Sequence, residues 1–436
     1  MELYSAVLPW DREKSEKQTL GKELLMEPIL RRECEQIMEK TVRAVLPDRA
    51  VQRALKDRVF PGRIILVAIG KAAWQMAKAA QDCLGSRISG GIILTKYGHI
   101  KGPVADLICW EAGHPVPDEN SFRGTRKALE LVRGLSAEDT VLFLVSGGGS
   151  ALFEQPLVGE AELRDITKQL LESGASIVEM NVIRKRLSAV KGGRFAQACA
   201  PARVFSIVLS DILGDPLDMI ASGPACPDPS TCRQAMEIVE KYHLNLSQQA
   251  RRRLEAETPK VLDNVESCIT GSVRELCGAA AEACRELGYE PMILTDQLCC
   301  QAREAGSFLA SVARSHRESR RSLAFLAGGE TVVKVTGTGK GGRNQELALA
   351  AAEGIAGLKD VALFSLGSDG TDGPTDAAGG IVDGGTAAEL ERQGVVIHKV
   401  LEENDAYHAL KQVDGLIFTG PTGTNVNDVS VLLIKR

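Results

Sequence analysis

No apolar run in this 436-residue sequence is long enough to span a membrane, which argues against a helical membrane protein. The opening stretch, MELYSAVLPWDREKSEKQ, lacks the apolar core of a signal peptide. There is no CxxC pair among the 11 cysteines, and Cys299–Cys300 is merely vicinal. Neither a zinc site nor a disulfide framework is implied, so the expectation is a reduced, cytoplasmic chain. An excess of positive charge is also missing. Net charge is −5 and pI is near 5.9, which argues against a nucleic-acid surface as the main function. A local basic pocket for anions stays open. No G-x-S-x-G elbow supports a serine nucleophile, and no repeat of fixed period is visible.

What is present is an ordinary globular composition, 44% hydrophobic and 25% charged. The 43 glycines are clustered, which marks functional loops rather than low complexity. A prior of roughly 100–200 residues per domain suggests two domains. Residues 1–20 read as polar and loosely held, and 24–46 as an amphipathic helix. Buried strands follow at 63–69, 91–95, 107–110, 140–145 and 203–209, with helices between them. The stretch 243–265 is charged and helical without a strong apolar face, and the domain boundary is set inside it, giving domains 1–255 and 256–436. The second half continues with strands at 267–270, 291–295, 323–326, 331–335, 361–366, 415–419 and 429–434. Strands alternating with helices predict α/β domains with mainly parallel sheets.

Five unusual loops follow strands, where open parallel sheets bind ligands. The sharpest is GSDGTDGPTD, 367–376. Its clustered acids repel one another unless a cation or bound donor lies between them. Aspartate oxygens are hard ligands suited to magnesium, although an isolated DGTDG also reads as a solvated Asx-turn. Ser146, Gly147, Gly148, Gly149 and Ser150 form a possible backbone nest for an anion, or a plain tight turn. Gly147 and Gly149 fit two positions of a dinucleotide fingerprint, but Leu152 stands at the third. Lys71 in AIGKAA is expected in the first turn of a helix, where the macrodipole disfavours a cation unless an anion is present. Arg343 stands at a helix start beside Lys340, with a fork suited to phosphate or carboxylate. Either basic residue alone could equally be solvated. Asp211, Asp215 and Asp218 share the fourth loop, as base, metal ligand or N-cap. Glu330 ends the fifth, as a carboxylate ligand or part of a turn. His114, in HPVPD, reads mainly as part of a fixed loop, with Asp118 capping the next helix. Basic groups, carboxylates and anion loops together suit phosphoryl transfer.

The stretches AIGKAA, HPVPDENS, VSGGGSAL, NVIRKRLSAVKGG, LSDILGDPLDMIASGP, GGRNQELALA, GSDGTDGPTDAAG and TGPTGTNVNDV resemble the glycerate 2-kinases, with a DUF4147-type first part and a MOFRL-type second part. They cover nearly the whole chain. The resemblance implies two different three-layer α/β/α domains, Rossmann-like, with the active site in an interdomain cleft. It implies Mg2+-dependent transfer from ATP to D-glycerate, giving 2-phosphoglycerate. A monomer or homodimer without nucleic-acid or membrane partners is expected. Lys71 and Arg343 match the residues that matter most in that family, and Asp211 joins them as catalytic. Ser146–Ser150, Lys191 and Glu330 are the expected substrate or ATP contacts, and Asp369 and Asp372 the expected metal ligands. Arg186, Pro216 and Thr371 depart from the family's usual residues. A hydroxypyruvate reductase using NAD(P)H and a non-catalytic nucleotide-binding protein are the competing readings.

Overall fold

The computed structural model describes residues 28–436. The expectations for 1–20, and for the first residues of the helix at 24–46, lie outside the described residues. The chain divides into two compact units, which are taken separately: residues 47–270, and residues through Leu46 together with 271–436.

The first unit is built on six strands: β1 (Ile64–Ile69), β2 (Ile88–Lys96), β3 (Ile108–Ala112), β4 (Thr140–Val145), β5 (Arg203–Leu209) and β6 (Val265–Gly271). Their order is β3-β2-β1-β4-β5-β6. Pairing is parallel at β3/β2, β2/β1, β1/β4 and β4/β5. The unbroken apolar runs IILVAI and TVLFLV are buried at every residue, as a sheet covered on both faces requires. Along β1, Ile65, Val67 and Ile69 enter one core, and Ile64, Leu66 and Ala68 the other. Both faces of this parallel sheet therefore carry a buried core. Its strand order reverses between β1 and β4, so the loops after those strands flank the switch point where such sheets bind ligands. The strand expected at 267–270 in the second domain is β6, on the edge of this first sheet. The two compact units meet in sequence at Thr270/Gly271. Within 243–265, only Gln248–Leu254 is α-helical.

The second unit holds β7 (Glu290–Leu298), β8 (Leu323–Gly329), β9 (Val361–Gly367), β10 (Gly379–Asp383), β11 (Leu416–Ile417) and β12 (Asp428–Ile434), in the order β11-β10-β9-β12-β8-β7. Here the expectation of a mainly parallel sheet is corrected. Only β7/β8 is parallel, and the other four junctions are antiparallel. Two of these involve β12, which inserts between β8 and β9 and runs against both, and two involve β10, which runs against β9 and β11. The hydrophobic pattern of β12 is that of a buried strand of either sense. The expected strand at 331–335 is reduced to a single bridge, Gln301 to Val332. The helix Pro28–Ala44 packs on Val273–Glu286, and Glu33 accepts hydrogen bonds from Tyr289 Oη and Lys435 Nζ, each at 2.6 Å. These contacts tie the first described helix to the carboxyl half. No helix among the described residues is long and apolar enough to cross a membrane.

One topological consequence matters for the site. Because β8 and β9 are both antiparallel to β12, they run in the same direction. Their carboxyl ends, Gly329 and Gly367, therefore share an edge, and both pair with Asp428 at the start of β12.

Candidate active site

In the first unit the turn after β4 is shaped by Gly148, at φ 85°. This is a conformation that L side chains rarely adopt. A Cβ there would lie 3.0 Å from His114 Nε2 and 3.2 Å from Lys71 Cγ. A Cβ on Gly147 would lie 2.2 Å from Asp211 Oδ2. The glycine loop is thus covered directly by a lysine, an imidazole and a carboxylate, drawn from the ends of three different segments. The N–H groups of Gly147 and Gly148 have no hydrogen-bond partner among the described residues. Ser222 and Ala221 hold positive φ angles of 62° and 51°. Strain of this kind concentrates at functional turns. Ala221 packs at Gly149, and Ser222 Oγ lies 3.1 Å from Ser150 Oγ.

Lys71 is exposed, and it precedes the helix Ala73–Leu84 rather than standing in its first turn, because Ala72 is the N-cap. Its carbonyl lies 3.0 Å from His99 Nδ1, and its N–H donates to Gly147 O at 2.9 Å. Burial, followed by the charges of Lys71, Lys96 and His99, holds His114 below its ordinary value. Lys71 and Lys96 bring positive charge, and His99 and His114 polar rings, to the neighbourhood of this open amide nest. Sequence reasoning gave His114 mainly a loop-fixing role and missed Lys96 and His99. Asp118 caps its helix as expected, in a capping box with Ser121.

Not every expected contact is available. Ser146 is buried, and its hydroxyl bridges Ala72 N and Ile69 O, each at 3.1 Å. Lys191 is fully buried, 2.8 Å from Glu154 Oε2, and donates to Phe153 O at 3.0 Å. The structure places it in an internal ion pair, away from any ligand-facing surface. Asp218 is taken by Lys185 at 3.0 Å.

In the second unit, Arg343 opens the helix Arg343–Gly354 and is already engaged. It holds Asp428 through two bonds, at 2.5 and 3.0 Å, and Glu330 through a third at 2.8 Å. Asp428 was not singled out from the sequence. Its signal was a lone acid opening the apolar run VSVLLI. Burial pushes its carboxyl up to about 6, outweighing the opposing pull of Arg343. Asp372 is buried and accepts from Asn344 N, Asn344 Nδ2, Gln345 N and Gln345 Nε2, at 2.9 to 3.3 Å. It acts as an added cap on the helix that carries Arg343, with both oxygens occupied. Asp372 therefore does not fit as a metal ligand. Asp369 fits better: Oδ1 accepts from Thr371 N at 2.9 Å, while Oδ2 has no hydrogen-bond partner among the described residues. No group of three or more His, Cys, Asp or Glu residues placed to hold a metal occurs among the described residues.

Two family models match this chain. One is described as a domain of unknown function, DUF4147, over residues 33–255, and the other as the MOFRL family, over 323–428. A D-glycerate 2-kinase of Thermotoga maritima is 53% identical over 405 residues, covering 92% of this chain and 97% of that one. A crystal structure of a glycerate kinase from Thermotoga maritima superposes with a TM-score of 0.90 at 52% identity, covering 94% of this chain and 100% of that one. A chain from Agrobacterium vitis, provisionally named a hydroxypyruvate reductase, is 37% identical over 415 residues, covering 91% of this chain and 93% of that one. With both models matched in order and near-full-length identity above half, the chain belongs to the DUF4147/MOFRL glycerate 2-kinase family.

Proposed function

We infer that this chain is a glycerate 2-kinase, transferring the γ-phosphoryl group of ATP to the 2-hydroxyl of D-glycerate. The observation that carries the reading is the cluster of Lys71, His114 and Asp211 on the glycine loop at the switch point of the first sheet. Phosphoryl transfer asks for positioning and charge neutralisation more than covalent help. Lys71 supplies positive charge beside the Gly147–Gly148 amides. Asp211 is the carboxylate beside it, suited to accept the proton that the attacking hydroxyl loses. The second unit contributes Arg343 and Glu330, and the reading takes groups of both units into one reaction. Magnesium, when bound with ATP, supplies further neutralisation of phosphate charge, and Asp369 is the residue that would hold it. The same reading places the enzyme in the cytoplasm, where its eleven free cysteines stay reduced.

The test is phosphorus NMR of the product formed from ATP, Mg2+ and D-glycerate. A 2-phosphoglycerate signal is expected. No phosphoglycerate, or only the 3-isomer, would refute the assignment. Incubation with NADH and hydroxypyruvate provides a second arm. No oxidation of NADH is expected, since Leu152 stands where a dinucleotide loop needs its third glycine.

A further inference from the structure

The loop TGTGKGG, 336–342, leads directly into the helix of Arg343. Exposed glycine-rich loops are normally mobile, but this one is fastened along its length. Thr336 N and Gly337 N both donate to Asn404 Oδ1, at 2.7 and 2.9 Å. Gly339 N donates to Glu403 O at 2.8 Å, and Lys340 N to Asp405 Oδ1 at 2.9 Å. Lys340 O accepts in turn from Tyr407 N at 2.9 Å. The approach is so close that a Cβ on Gly337 would lie 2.3 Å from Glu403 Cα, and one on Gly339 would lie 2.5 Å from Glu403 O.

The lysine side chain is held as well as its backbone. Lys340 Nζ sits 4.4 Å from the centre of the Tyr407 ring, within cation–π range. The Tyr407 hydroxyl donates to Asp376 Oδ1 at 2.7 Å, which fixes the ring and makes it richer in electrons. Lys411 faces the same ring at 5.8 Å. Arg343, three residues on, has three of its five donors committed to Asp428 and Glu330. Lys340 has Asp376 within electrostatic reach but makes no ion-pair contact with a carboxylate among the described residues, and a cation held in advance in this way is organised for an incoming anion.

We propose that Lys340 is the cation of this unit that meets a phosphate of the nucleotide, and that Tyr407 is the positioning residue that holds it there. The proposal rests on the glycerate kinase reading for the identity of the nucleotide. A lysine serves phosphate as a compact point charge, so its position decides its value.

The test combines calorimetric titration with ATP and steady-state kinetics. Lys340→Ala and Tyr407→Ala should each raise the Kd and KM for ATP about tenfold, with the KM for D-glycerate unchanged. The double variant should be no weaker than either single one, because both remove the same contact. Tyr407→Phe keeps the ring, and should restore most of the ATP affinity even where Tyr407→Ala proves too unstable to assay. An unchanged ATP Kd in a folded Lys340→Ala protein overturns the proposal, as does a rise confined to D-glycerate. Additive losses in the double variant overturn the role of Tyr407. Wild-type protein that makes no phosphoglycerate, yet shows these ATP shifts, would sink the glycerate reading and leave this proposal standing.

Discussion

Asp369 and Asp372 are three residues apart in one acidic loop, and the structure gives them opposite circumstances. Asp372 is buried under four N–H donors from the first turn of one helix. Its replacement should act on stability. Asp372→Ala is expected to cost about 2 kcal/mol or more in urea unfolding, by the loss of charged caps on buried amides. The Mg2+ concentration for half-maximal activity should stay where it is, and a changed metal requirement would return Asp372 to the ligand set. Lys71 is the reverse case: exposed, and with no hydrogen bond or ion pair to its ammonium group among the described residues. Lys71→Ala should leave the circular dichroism spectrum unchanged. It should lower kcat by roughly 10²–10³, the usual cost of removing one charge-stabilising donor. Near-normal turnover in that variant would take Lys71 out of the mechanism.

At the scale of elements, the turn Gly149–Leu152 is backed by the buried pair of Lys191 and Glu154. Burial lowers the Lys191 ammonium to about 8, from an ordinary value of 10.5. Below pH 8 the lysine is charged in both folded and unfolded states, and the fold bears the burial cost. Between about 8 and 10.5 the unfolded chain holds the proton more tightly, so this group makes stability rise with pH across that window. The unfolding free energy of wild type, measured against a Lys191→Met/Glu154→Leu variant, should therefore improve from pH 8 to 10.5. A flat difference would contradict the burial argument. The same element shows what the sequence could not convey. Lys191 lies in a basic, glycine-rich stretch, and its pattern is the same whether the ammonium faces a ligand or an internal glutamate. Strand runs such as IILVAI and TVLFLV were legible because a strand covered on both faces admits only apolar residues. The strand Gly379–Asp383 was not, because its two glycines read as loop. Gly379 comes so close to Ser365 O of β9 that a Cβ would clash, and a Cβ on Gly380 would press on Leu410 and Ala348. The sense of β12 was illegible for a related reason: burial pattern carries no direction. Of the site, the strand-end loops were readable from glycine and charge. Asp428, Tyr407 and Lys96 were not, since each acts through neighbours distant in sequence.

For the whole molecule, Lys71 belongs to one unit and Arg343 to the other. One reaction that draws on both should show it in the kinetics. Arg343→Ala alone is a poor probe, because it strands Asp428, a buried carboxylate held by two of its bonds. Breaking such a pair from one side typically costs about 3–5 kcal/mol. Adding Asp428→Asn removes the stranded charge and should recover most of that loss, as read by thermal unfolding. In this stabilised background, the loss of kcat/KM from Lys71→Ala should be smaller than in wild type. A reaction that already lacks the Arg343 donors no longer gains the full benefit of Lys71. Full additivity would mean that the two cations act in independent steps. A Lys71→Ala loss that does not shrink when Arg343 is gone would therefore remove the shared-reaction part of the glycerate kinase reading, while leaving the role of each residue within its own unit intact.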